Sequence, residues 1–353
     1  MSDGALLALD VGGGTQDLFL WEPGQPVENA VKMVLPAPTQ VLARRIGRLT
    51  SQRLPLFLNG RVMGGGAVSS AVRRHLAQRL PVFATAEAAR TLHDNLETVK
   101  QWGLTLTDAP PADAVTITLG DVDLEGLGVL LAAFEVPLPS RFAVAVQDHG
   151  FNPLASNRRF RFQHWENFLA GGGRLADLAY RRPPAAFTRM LAVAEALPGA
   201  LLMDTCAAGV RGALLDEAAR ARRGEGLTVV NLGNAHTFAA LVQGDRLLGI
   251  YEHHTGLLTP VKLADHLRRF QVGTLTNEEI FADEGHGCAI SSDYRPGPSF
   301  AFTVITGPRR RLARDWPEGV FAAPLGDMML SGCFGLAAAY AEAEGLPWRP
   351  GDS

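Results

Sequence analysis

Apolar runs of strand length open the chain: Ala5 to Val11, Thr15 to Trp21 with its apolar stretch Leu18 to Trp21, and Val27 to Leu35, parted by Gly12-Gly13-Gly14 and by Pro23-Gly24. Short apolar runs bounded by glycine and proline predict strands, so the chain opens as an antiparallel meander. The rhythm then turns helical, with Val41, Leu42, Ile46 and Leu49 on one face of a helix over Thr39 to Gln52. Strands predicted at Leu54 to Leu58, Pro81 to Ala84, Ala114 to Leu119 and Phe142 to Val146 alternate with helices at Gly64 to Arg79, Ala86 to His93 and Leu124 to Phe134. Such alternation implies parallel strands joined by crossover helices. Gln147 to Pro198 is less regular and reads as an insertion or interlobe segment. A strand at Leu201 to Met203, a helix at Ala207 to Arg222, a strand, turn and strand over Leu227 to Val242, a strand at Phe300 to Ile305 and a small-residue helix at Gly326 to Glu344 complete the pattern.

Composition adjusts this picture at few points. At 353 residues, with 47% hydrophobic and 20% charged residues, the chain is globular and long enough for two lobes, since single cores stop growing near ~250–300 residues. A net charge of −3 and a pI near 6.3 supply no field for nucleic acid or an anionic membrane, and neither is an expected partner. Cys206, Cys288 and Cys333 are too few and too scattered for a disulfide framework, which fits a reducing cytoplasm. The opening residues Met1 to Gly4 lack the pattern of a signal peptide, so export is not expected. The most apolar segment, Leu124 to Val136, carries Glu125 and Glu135 and is too short to span a bilayer.

The candidate chemistry concentrates in LDVGGGTQDL, Leu9 to Leu18. Gly12, Gly13 and Gly14 allow backbone N–H groups to approach an anion, and Thr15 and Gln16 follow with polar side chains. Asp10 closes the first strand beside that turn, where phosphate would repel it unless a cation intervened; magnesium is the natural mediator. Asp17 shares a strand face with Thr15 and could hold the loop or position water. An ordinary glycine hairpin is the competing reading. Neither GxGxxG nor GxxxxGKS/T is present. The later VNLGNAHTFAAL sets Asn231 against Asp10, Gly233 against Gly12, Asn234 against Gly13, Ala235 against Gly14 and, after a one-residue offset, Thr237 against Thr15. Two phosphate loops, one per lobe, are implied.

Other candidates carry a structural reading beside the functional one. Asp148 and His149 follow an apolar strand, where open α/β sheets place functional groups, or they cap a helix. Met63 to Ala67 could present a helix N-terminus to an anion or form a tight turn. Adjacent His253 and His254 face opposite ways, and His286 with Cys288 could bind zinc only with distant partners, so both read as structural or surface groups. GIYEHHTGLL, Gly249 to Leu258, could edge the cleft through Gly256. There is no GxSxG elbow.

Two glycine hairpins and the late turn ITGPRRR, Ile305 to Arg311, resemble the actin, Hsp70 and sugar-kinase superfamily. That resemblance implies an α/β, ribonuclease H-like fold of two lobes, each a mixed sheet with an antiparallel meander and flanking helices, clamping ATP and magnesium. It implies lobes over 1–146, the first carrying an extra βαβ unit, and 199–353, with 147–198 between them, the last helix packing back toward the cleft. It implies connecting helices at Ala207 to Arg222 and Gly326 to Glu344, and an adenosine turn at Thr306, Gly307, Pro308 and Arg309; His236, where the superfamily has glycine, could donate to a phosphate oxygen or only fill the turn. More narrowly, LDVGGGTQD, MGGG, QDHG with SNRRFR, and TGPRR resemble the uncharacterised DUF1786 family, often labelled as related to pyruvate formate-lyase activating enzyme. A radical activase needs three closely spaced cysteines, which this sequence lacks, so no iron–sulfur cluster is expected. The resulting expectation is an ATP-binding, magnesium-dependent ATPase or phosphotransferase with Asp10, Asp17 and Asp148 as catalytic candidates. The alternative is a nucleotide-gated binding or scaffold protein, acting on a protein client such as a metalloenzyme, without appreciable hydrolysis.

Overall fold

The computed structural model describes residues 4–154 and 156–348. Met1 to Asp3, part of the segment read as lacking an export signal, lie outside the described residues. The strands are β1 (Leu6–Val11), β2 (Thr15–Trp21), β3 (Lys32–Pro36), β4 (Leu56–Gly60), β5 (Val82–Ala84), β6 (Thr105–Leu106), β7 (Val115–Leu119), β8 (Arg141–Val146), β9 (Ala179–Tyr180), β10 (Leu201–Met203), β11 (Leu227–Leu232), β12 (His236–Gln243), β13 (Arg246–His254), β14 (Gly287–Ile290), β15 (Thr303–Thr306) and β16 (Gly319–Phe321).

Two six-stranded sheets share one plan, β3-β2-β1-β8-β10-β9 and β14-β13-β12-β11-β15-β16. In each, an antiparallel meander (β1-β2-β3, β11-β12-β13) continues through parallel strands (β8 and β10, β15 and β16). This is the duplicated two-lobed α/β arrangement that the resemblance implies. The alternating segment Leu54 to Leu119 forms a separate parallel sheet, β6-β5-β4-β7, with its own core around Leu56, Val68 and Val72. No helix among the described residues is long and apolar enough to cross a membrane.

Several predicted boundaries shift for local reasons. Pro26 starts a 3-10 turn over Val27–Asn29, so β3 begins only at Lys32. Pro298 likewise sets a 3-10 turn, which leaves β15 to start at Thr303. The helix predicted over Ala207 to Arg222 is two helices, Thr205–Ala213 and Glu217–Arg222; Asp216 caps the second by accepting from the Ala218 N–H. The last helix runs Ser331–Ala343, because a turn containing Leu325 at φ 51° precedes it. The strand at Leu201–Met203 pairs with β8 and so completes the first sheet rather than opening the second.

The helices Thr205–Ala213 and Ser331–Ala343 lie between the sheets and share one core with both, from Phe19 and Ala145 to Val229 and Val304. Ser331–Ala343 is buried almost all round, which its small apolar sequence permits. Close crossing needs glycine. A Cβ on Gly212 would lie 1.7 Å from the Ser331 carbonyl oxygen, and one on Gly335 2.0 Å from that of Ala208.

Candidate functional site

The two glycine hairpins are built alike. The Gly12 N–H donates to the Thr15 carbonyl at 2.9 Å, and the Gly233 N–H to the His236 carbonyl at 2.9 Å. Val11 pairs with Gln16 and Asp10 with Asp17, as Leu232 pairs with Thr237 and Asn231 with Phe238. The hairpins therefore match without an offset: His236, not Thr237, stands where Thr15 does, and Phe238 stands where Asp17 does. The loops face one another. A Cβ on Gly14 would lie 2.7 Å from Asn234 Nδ2, and one on Gly13 3.5 Å from the Ala235 Cβ. Between them lies a cleft of about 110 Å³.

Asp10 and Asp17 stand directly opposite across β1 and β2, each with a buried Oδ1 that has no hydrogen-bond partner. Like charges facing across an antiparallel pair repel, and buried acceptors without donors cost about 1–3 kcal/mol each. Burial, and then the Asp17 and Asp204 charges, hold the Asp10 carboxyl well above the usual carboxylate range. Burial pushes Asp17 up to about 7, with the Asp327 charge adding and a Thr15 hydrogen bond opposing. The pair fits a small hard cation, which would supply the missing charge to both orphaned oxygens.

The N-termini of Thr205–Ala213 and Ser331–Ala343 also open into the cleft, through Thr205, Cys206, Ser331 and Gly332. Helix N-termini carry unpaired N–H groups and partial positive charge, which suits phosphate. Gly332 allows Asp10 to approach: a Cβ there would sit 1.8 Å from Asp10 Oδ2. Sequence reasoning missed these positions as cleft residues, although the run LSGCFG was legible as a close-packing face.

Of the residues singled out from sequence, Asp10, Gly12, Gly13, Gly14, Thr15, Asp17, Asn231, Gly233, Asn234, His236, Thr306, Gly307 and Pro308 line the cleft together. Gly307, at φ 96°, presses on the second hairpin, where a Cβ would meet the Leu232 carbonyl oxygen at 2.5 Å. The remaining candidates lie elsewhere. Arg309 is exposed, and only its backbone N–H reaches the hairpin, at the Leu232 carbonyl. Thr237 is buried with its hydroxyl 3.0 Å from that of Thr255, and Gly256 belongs to the exposed part of the turn Thr255–Leu257. Gln16 lines a separate cavity of about 670 Å³ beside the helix Pro38–Ser51 and β7. Asp148 is spent on backbone: Oδ1 accepts from Gly150 N–H at 2.8 Å and Oδ2 from Met190 N–H at 2.9 Å, so it organises the turn after β8 instead of facing the cleft. The Met63 to Ala67 segment leads into the helix Gly66–Ala77, and its Gly64 N–H donates to Asp121.

Beside the cleft, Arg161 joins the lobes. Its guanidinium donates to Asp204 at 2.8 Å, to Glu252 at 2.7 Å and to the Asp148 carbonyl at 2.8 Å. Burial, followed by the Arg161 charge, pushes His149 down to about 3; burial and neighbouring imidazoles likewise lower His236 and His286. The three cysteines are buried and free, on the helix Thr205–Ala213, on β14 and on the helix Ser331–Ala343.

The sequence pattern of a family described as "Putative pyruvate format-lyase activating enzyme (DUF1786)" matches residues 63–312. No curated protein matches the chain. Among solved structures it is similar to the apo psk41 parM protein, at 10% identity over 98% of each chain with a TM-score of 0.38. It is also similar to the activator of 2-hydroxyisocaproyl-CoA dehydratase from Clostridium difficile with bound ADPNP, at 9% identity over 98% of this chain and 99% of that one, TM-score 0.33.

Proposed function

The chain belongs to the DUF1786 family, and we propose that it binds Mg·ATP between its lobes and hydrolyses it. The observation that carries this reading is the facing pair Asp10 and Asp17, two carboxylates with orphaned buried oxygens, set at the mouth of paired glycine hairpins. Asp10 and Asp17 would hold the cation. Backbone N–H groups of Gly13 to Thr15 and Asn234 to His236, with the N-terminus of Ser331–Ala343, would bind the phosphates, and Thr306 to Pro308 the nucleoside end. Magnesium, when bound with the phosphates, supplies charge neutralisation of the phosphoryl group.

The activase chemistry in the family's description is not proposed for this chain, since Cys206, Cys288 and Cys333 sit on three separate elements. A second reading, a nucleotide-gated clamp without hydrolysis, is favoured by Asn231 and Phe238 at the positions of Asp10 and Asp17, which leave the second hairpin without the carboxylate pair of the first. Thermal stability and phosphate release, followed together as Mg·ATP is added, separate the two. Saturating ligand at about 100 Kd stabilises by ~2.7 kcal/mol. Asp10→Asn is expected to lose the magnesium-dependent part of that shift and the phosphate release, with an unchanged circular dichroism spectrum. A shift without release selects the clamp; no shift with any nucleotide sinks both.

A further inference from the structure

We propose that His149, His236, His286 and Glu252 form a binding site for a divalent transition-metal ion of the zinc class, held across the two lobes. The residues come from four distant parts of the chain. His149 follows β8 of the first sheet, His236 opens β12, Glu252 lies in β13 and His286 directly precedes β14. One ligand atom from each lies within 4.8 Å of every other, and this is the one such group of histidine, cysteine and acidic side chains found among the described residues.

The geometry suits one small ion. His149 Nε2 and His286 Nε2 are 3.0 Å apart. Two nitrogens each ~2.0–2.1 Å from a tetrahedral zinc ion lie roughly 3.4 Å apart, so a small relaxation admits the ion. The His236 and His286 rings meet at 4.7 Å and 81°, and those of His149 and His236 at 5.8 Å. His286 is 2% exposed, and the ring nitrogen it turns toward the cluster, Nε2, faces His149 Nε2.

Glu252 is fully buried and already oriented. Arg161 Nε donates to one oxygen at 2.7 Å and Gln147 Nε2 to the other at 2.6 Å, which leaves each oxygen a lone pair. A ligating carboxylate is usually fixed by such outer hydrogen bonds. Three imidazoles with one carboxylate select zinc, or a neighbour such as cobalt, over magnesium and calcium, which take oxygen ligands. The site is distinct from the Asp10 and Asp17 pair in both ligands and ion class, and it does not depend on the nucleotide reading.

The test uses the full chain stripped with a chelator, then titrated with Zn2+ and, as a spectroscopic probe, with Co2+. One equivalent should bind, with the intense visible absorption of four-coordinate cobalt, unaffected by millimolar Mg2+. His149→Gln and His236→Gln, both partly buried positions, should each weaken binding at least about tenfold, whereas His93→Gln, outside the cluster, should not. If His149→Gln fails to fold by circular dichroism, His236→Gln decides alone. Absence of stoichiometric binding to the wild-type chain overturns the site, as does binding that a folded His236→Gln leaves unchanged.

Discussion

Asp17 is the side chain through which pH should act on the cleft. Its carboxyl rises from 3.8 to about 7 on folding, so between those values the folded chain holds a proton that the unfolded chain has lost. The stability this contributes is fully present below about pH 4 and is lost as pH rises through 7. Asp10 is raised as well, with the same sign, whereas the buried histidines, lowered on folding, act in the opposite sense. Comparison with a variant isolates the single group. Melting temperature measured from pH 5 to 8 without divalent cations should fall more steeply for the wild type than for Asp17→Asn, and magnesium should recover more of the loss at pH 8 than at pH 5. Parallel profiles for the two proteins would remove Asp17 from the account.

At the scale of elements, the crossing of Thr205–Ala213 with Ser331–Ala343 sets how closely the lobes approach the cleft. Gly335→Ala drives a methyl group into the Ala208 carbonyl, and overpacking of this kind costs about 1–3 kcal/mol. Urea unfolding should show that loss. Gly128→Ala, with nothing near its would-be Cβ in the helix Leu124–Ala132, should instead be neutral or stabilising by about 0.5–1 kcal/mol. Equal effects at the two sites would mean that the crossing is not tight. These features were legible because they are local: a small-residue run in LSGCFGLAAAYA, a glycine triplet between apolar strands, and a second hairpin of the same shape. The pairing that sets Thr15 against His236 was not, because register depends on which residues exchange hydrogen bonds across the turn. Asp148 shows the same limit, since its two oxygens are taken by backbone N–H groups of Gly150 and the distant Met190. The histidine cluster was least legible of all: its ligands are drawn from both lobes, and only His286 stood in a segment that suggested metal.

At the scale of the whole molecule, the cleft is too small for the ligand proposed for it. Ligand pockets commonly enclose ~300–1,000 Å³, against about 110 Å³ here, so nucleotide entry requires the lobes to part. What must give way is the set of contacts between them: Asn234 against Gly14, Gln147 on Glu252, His149 on His286, and Arg161 shared between Asp204 and Glu252. Separating these contacts gives up direct hydrogen bonds and ion pairs, which favours the closed arrangement until a ligand offsets it. An ion held by His149 of one lobe and by His236, Glu252 and His286 of the other adds to that bias. Coupling between two ligands is reciprocal, so an ion that favours closure must weaken a nucleotide that needs opening by the same factor that the nucleotide weakens the ion. At constant free Mg2+ and buffered free Zn2+, saturating zinc should raise the apparent Kd for Mg·ATP about 5- to 150-fold, the usual span of such couplings. The His149→Gln variant, which loses the first lobe's ligand, should bind Mg·ATP equally with and without zinc, and this also separates coupling from chelation of zinc by ATP. A wild-type chain that binds both ligands with no mutual effect would show that opening the cleft does not separate His149 from its partners.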